Sequence, residues 1–172
     1  MGKKLLNKIK VKPLKIINLS TGNIMRAIIK KDLKNGIFGE AYFSWVKPGV
    51  IKAWKFHRQM TLNLVVPVGE VKFVFHEPHS GKFREELLGE IHYQRLTVPP
   101  RVWFGFQGCA SVPSLLLNVS DIPHDPEEVE TKELNEFPFQ FKKVAGMDDL
   151  KQMIQAKLKD CAFLVLSFER FV

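Results

Sequence analysis

The stretch Gly49-Val-Ile-Lys-Ala-Trp-Lys-Phe-His-Arg-Gln-Met-Thr-Leu-Asn-Leu-Val-Val-Pro-Val-Gly69 decides the fold. It reads as two strands joined by a short polar bend, with a glycine closing each end. Val50 to Phe56 alternates loosely between apolar and basic residues, the pattern of a half-buried strand. Leu62 to Val68 is almost wholly branched and apolar, which suits a strand covered on both faces. Gly69 stands where a tight turn must reverse the chain before Val71-Lys-Phe-Val-Phe75. His57, with Lys52, Lys55 and Arg58, is the one dense cluster of ionisable groups beside an apolar element. If the protein has an active site, this is where it is expected.

On either side the chain continues as short strands punctuated by Gly and Pro. Leu14 to Ile17 and Ile24 to Ile29 flank the turn cluster Ser20-Thr-Gly-Asn23, and Lys30 to Gly36 is a polar loop. Ile37 to Val46 is a further strand, on which alternation sets Glu40, Tyr42 and Ser44 on one face. Two strands surround Gly89 between Glu86 and Val98. Pro99-Pro100 blocks a helix and forces an extended entry into Val102 to Phe106. Leu115 to Val119 is the last core strand, which makes nine or ten with no convincing helix, the mark of an antiparallel sandwich or barrel.

The expected organisation is a basic N-terminal arm over residues 1–13, mobile in its first twelve, and a sheet domain over 14–126. A C-terminal extension follows over 127–172. Glu127 to Glu136 is acidic and expected to be exposed. The one good helical pattern lies near 148–159, where Leu150, Met153, Ile154 and Leu158 share a face.

The chain has 172 residues, 45% of them apolar and 26% charged, enough for one globular domain with its own core. No apolar run approaches the roughly 20 residues of a transmembrane helix. The first residues lack the apolar core and cleavage site of a secretory signal, so no membrane partner and a cytoplasmic location are expected. The net charge is +8, and six lysines fall between Lys3 and Lys15. Such an excess attracts anionic partners, or it merely solvates a basic arm. No helix-turn-helix, zinc-finger or aromatic RNA-binding motif is present, which argues against nucleic acid.

Metal chemistry is tested by spacing. A metal-binding cupin barrel needs two His and a carboxylate from one strand pair and a third His from another. Counted from Gly49, those positions fall on Lys55, His57, Thr61 or Leu62, and a residue near Phe104. One ligand of four survives, and a lysine ammonium would repel the ion, so no metal and no cofactor are expected. Acid–base chemistry remains open. Histidine exchanges protons near neutral pH, which makes His57 a candidate base, with Tyr42 as acid and Lys55 as a second base or nucleophile. The plainer readings are a surface histidine at a strand end and a tyrosine packed on a sheet. Gly-x-Ser-x-Gly elbows and phosphate-cradling Gly loops are absent.

Four blocks in order carry a resemblance: Gly49 to His57, Val68-Gly-Glu-Val71, Val98-Pro-Pro-Arg-Val-Trp-Phe-Gly-Phe106, and Asn118-Val-Ser-Asp121. Over roughly residues 37–126 the chain resembles the dTDP-4-dehydrorhamnose 3,5-epimerase family. The resemblance implies an all-β cupin jelly roll, free of metal and usually dimeric. It implies action on nucleotide-linked 4-keto-6-deoxy sugars in cell-surface polysaccharide biosynthesis. The family's motif arginine is Lys52 here, its base histidine is Lys55 and its glutamine is His57. Its tyrosine acid falls on Leu117, a substrate-contacting histidine on Phe104, and the polar positions of the preceding strand on Glu40, Tyr42 and Ser44. The His-x-His of the related sugar 3,4-ketoisomerases resembles Lys55-x-His57.

Two readings follow. In the first, an isomerase uses His57 as base and Tyr42 as acid, Glu40 and Ser44 contact the sugar, and Lys52 and Arg58 meet the diphosphate. In the second, a non-catalytic cupin binds a sugar nucleotide or serves as an assembly subunit. A homodimer is expected in both.

Overall fold

In the computed structural model, residues 5–142 and the single helical position Gln155 are described. The remainder of the helix expected near 148–159 lies outside the described residues. Twelve strands are present among them. They are β1 (Lys10–Pro13), β2 (Ile16–Ile17), β3 (Ile24–Met25), β4 (Glu40–Val46), β5 (Ile51–His57) and β6 (Leu62–Val68). After them come β7 (Glu70–Glu77), β8 (Lys82–Gly89), β9 (Gln94–Val98), β10 (Trp103–Gly108), β11 (Ser114–Ser120) and β12 (Val129–Thr131).

Ten of these strands form two five-stranded antiparallel sheets, ordered β1-β9-β6-β11-β4 and β12-β5-β10-β7-β8, and β2 pairs with β3 alone. This is the all-β jelly roll that the sequence predicted. The core lies between the sheets. Leu62, Leu64 and Val66 from β6, Leu96 and Val98 from β9, and Val46 and Leu116 from the far edge meet Phe73, Phe75, Phe104 and Phe106 of the opposite sheet. The run Leu62 to Val66 is buried on both faces, as its composition requires.

Two segments read as peripheral are built into the sandwich. Lys10–Pro13 is an edge strand, paired with β9 from Lys10↔Thr97 to Pro13↔Gln94. Leu6 and Ile9, just before it, are buried in the core. The basic arm is therefore joined to the sandwich through Leu6, Ile9 and the strand Lys10–Pro13. Its lysines hid this, because an edge strand pairs through its backbone and leaves its side chains in water.

The expected exposure of Glu127 to Glu136 is also corrected in part. Glu128 is buried, and Val129–Thr131 extends the second sheet beside β5. Beyond it Phe137, Phe139 and Phe141 lie across the outer face of that sheet and pack on the fully buried Trp54.

Candidate functional site

The inner face of β5 is set by a bulge. Against β10, Phe104 pairs with Lys55 and Phe106 with Lys52, so two steps on β10 oppose three on β5. The extra residue lets Lys52 and Lys55 share the face of Phe104 and Phe106, while Trp54 turns outward into the aromatic cluster. Lys52 Nζ lies 5.9 Å from the centroid of the Phe106 ring. The His57 ring stacks on Phe104 at 5.9 Å. Lys52, Lys55 and His57 thus lie on the face of the β5–β10 pair that carries Phe104 and Phe106.

Glu128, which the sequence reading missed, fixes the histidine. Pro126–Glu128 forms a single 3-10 turn capped by the Asp125 carboxylate, which accepts from the N–H of Glu127. That turn drives the Glu128 side chain under β5. One carboxylate oxygen accepts from the backbone N–H groups of Gln59 at 2.6 Å and Met60 at 2.8 Å. The other lies 2.6 Å from His57 Nδ1. Burial raises the Glu128 carboxyl, but the two backbone donors and the imidazole outweigh it and hold it below its ordinary value. An ionised carboxylate only accepts, so Nδ1 carries a hydrogen and Nε2 is the nitrogen left free for chemistry. Sequence gave no signal for this pair, since the partners are 71 residues apart and Glu128 sits in an acidic run.

Glu40, Tyr42 and Ser44 lie on edge strand β4 of the other sheet. They share a face with Val46, and across to β11 they pair with Ser120, Asn118 and Leu116, on the side of the sheet that carries the core. The Tyr42 hydroxyl accepts from Asn118 Nδ2 at 2.7 Å, which leaves its own O–H free to donate. Glu40 is turned to the chain after β11, where it accepts from the N–H of His124 at 3.2 Å. Leu117, where the resemblance sets the family's tyrosine, pairs with Phe43 on the outer side of β4, so it does not face the interior. Arg58 leaves this group. Its guanidinium donates to Glu130 and to the Glu127 carbonyl, both at 3.0 Å. Among the described residues no three His, Cys, Asp or Glu side chains converge as a metal site would require.

The jelly roll thus carries a cationic inner face floored by Phe104 and Phe106, with a histidine held by a carboxylate. The chain belongs to the family of dTDP-4-dehydrorhamnose 3,5-epimerases and related sugar isomerases. It is 34% identical to the dTDP sugar isomerase of Desulfovibrio desulfuricans, with a TM-score of 0.72 over 77% of this chain and 89% of that one. The fold is shared with the Legionella pneumophila epimerase RmlC bound to dTDP-4-keto-L-rhamnose, at 18% identity and a TM-score of 0.66, covering 80% and 81% of the two chains. A probable low-salt glycan biosynthesis epimerase of Haloferax volcanii is 29% identical over 94 residues, or 51% of this chain. The match spans 60% of that curated relative's length. No family model matches the chain.

Proposed function

We propose that the protein is an isomerase of a nucleotide-linked 4-keto-6-deoxy sugar, acting in the cytoplasm on the way to a surface polysaccharide. The observation that carries this reading is the His57–Glu128 pair set among Lys52 and Lys55. A carboxylate that orients an imidazole and leaves Nε2 free is the arrangement a general base requires.

In this scheme Nε2 takes the proton from the carbon beside the ketone, and the electron pair passes to the ketone oxygen as an enolate. Lys55 stabilises that oxyanion, because a cation placed where charge develops lowers the barrel-mouth barrier most. Tyr42 donates from the opposite wall, and return of a proton to the other face of the carbon inverts it. Glu40 and Ser44 contact the sugar, and Lys52 meets the diphosphate. Arg58 joins Lys52 by releasing Glu130. That pair is largely exposed, so its loss costs about 0–1 kcal/mol. The protein acts as a homodimer, supported by the exposed Phe43 and Trp45 on the outer face of edge strand β4.

The test is deuterium exchange from D2O into dTDP-4-keto-6-deoxyglucose, followed by NMR. The parent is expected to exchange the proton beside the ketone. His57→Ala should slow this by about 100-fold or more while dTDP binding stays within a few-fold. Exchange in His57→Ala as fast as in the parent would remove the catalytic assignment. A parent that binds dTDP but exchanges nothing would be a binding cupin.

A further inference from the structure

A second cleft lies on the outer face of the first sheet, between the N-terminal segment and strands β6 and β9. Its volume is about 1000 Å³, and none of the inner-face residues of β4 or β5 lines it. At its floor is Arg95, only 6% exposed, whose Nε has no hydrogen-bond partner among the described residues. Its Nη1 pairs with Asp32 Oδ2 at 2.6 Å, and that pairing holds the Asp32 carboxyl well below its ordinary value. Beside it Thr61 is also 6% exposed, and its hydroxyl likewise lacks a partner. The Arg95 Nε–H and the Thr61 hydroxyl, both buried and lining one cleft, are costly unless something satisfies them.

The rim supplies charge of one sign. Lys8, Lys10, Lys31 and Arg101 line the cleft and have no ion-pair partner among the described residues. Asp32 is its one acidic residue, already held by Arg95 and by Lys12 at 3.0 Å. Lys34 reaches Asp121 at 3.8 Å. Four free cations around a buried Arg exceed what one carboxylate ligand could neutralise. Arginine's planar fork matches phosphate oxygens, and lysines serve as point charges around them.

We propose that this cleft binds a diphosphate-bearing small molecule at a site separate from the barrel mouth. Arg95 and Thr61 donate to one phosphate, while Lys8, Lys10 and Lys31 hold the second. The proposal does not depend on the isomerase reading.

The experiment is a titration of the full chain with inorganic pyrophosphate, read by backbone amide shifts and calorimetry. Saturable shifts are expected around Thr61, Asn63, Arg95 and Thr97. Lys8→Ala/Lys10→Ala/Lys31→Ala, three changes at exposed positions, should weaken this binding at least 10-fold. Arg95→Lys, which keeps the charge and loses the fork, should weaken it several-fold. Lys52→Ala/Lys55→Ala should leave it within twofold, and inorganic phosphate should bind at least 10-fold more weakly. Shifts confined to the barrel mouth, or affinity unchanged in the triple variant, would overturn the site. Equal binding of phosphate and pyrophosphate would overturn the diphosphate assignment. Because the triple variant retains every barrel-mouth residue, its deuterium exchange reports separately on the isomerase reading.

Discussion

His57 and Glu128 carry the most weight among single residues. Glu128→Gln keeps the size of the side chain but removes the charge, and one of its two ends must then turn an amide N–H toward a donor. The expected cost is about 1–3 kcal/mol in urea unfolding, the penalty for leaving buried donors badly paired. Solvent exchange should fall with it, since Nδ1 loses its anchor and the ring its tautomer. The pH dependence has a definite sign. The folded carboxyl lies below its ordinary 4.5, so the stability it supplies is complete above that value and is lost as pH falls through the lowered one. The gap between parent and Glu128→Gln should therefore close on acidification.

His76 behaves differently. Burial pushes it below its ordinary 6.5, and its ring stacks on Phe83 at 4.4 Å and meets Phe137, tilted, at 4.2 Å. The unfolded chain takes up a proton there first, so stability falls as pH drops below 6.5. Melting temperatures between pH 7 and 5.5 should decline less in His76→Phe than in the parent, about these bounds. Sequence pointed to His57 because it clusters with Lys52, Lys55 and Arg58 beside an apolar element, but the bulge that brings Lys52 to its face left no signal. It could not identify Glu128, because a contact across 71 residues leaves no local pattern.

Among the elements, the β5 bulge is what turns a strand into a site. It seats Ala53 against Gly105, where a Cβ added to the glycine would lie 2.5 Å from the Ala53 Cβ. Gly105→Ala should push β5 from β10, costing about 1–3 kcal/mol by overpacking. It should also impair exchange, because Lys52 and Lys55 flank the displaced residue. Trp54→Ala tests the covering segment instead. The indole is fully buried, touches Phe137, Phe139 and Phe141, and donates to the Leu134 carbonyl at 3.2 Å. A loss of about 3–5 kcal/mol is expected in chemical denaturation. Most strands were readable from apolar alternation or a buried run bounded by Gly or Pro, whereas β1 and β12, basic or acidic edge strands, were not. Nor was the covering segment. Phe137, Phe139 and Phe141 are half-buried because they pack on Trp54, a partner some 80 residues away in sequence.

At the scale of the molecule, the sandwich ends on one side with an unusual strand. β4 is the edge of the first sheet, and its outer face carries Phe43 at 65% and Trp45 at 61% exposure. Phe38, immediately before the strand, is 59% exposed. Large apolar side chains set together on an open edge mark an interaction surface, and an uncovered edge strand invites pairing. The opposite edge of that sheet is the short basic β1, which water covers well. The apolar edge is therefore the one that a second copy would cover. Light scattering at micromolar concentration should give a dimer for the parent and a monomer for Phe43→Glu/Trp45→Glu. Circular dichroism of that variant should be unchanged, because neither side chain belongs to the core. If Tyr42, on the same strand, serves the barrel mouth, loss of the dimer should also raise KM for the sugar nucleotide. A parent that is monomeric at those concentrations would remove the second copy from the reading, and with it any role for the partner in the site.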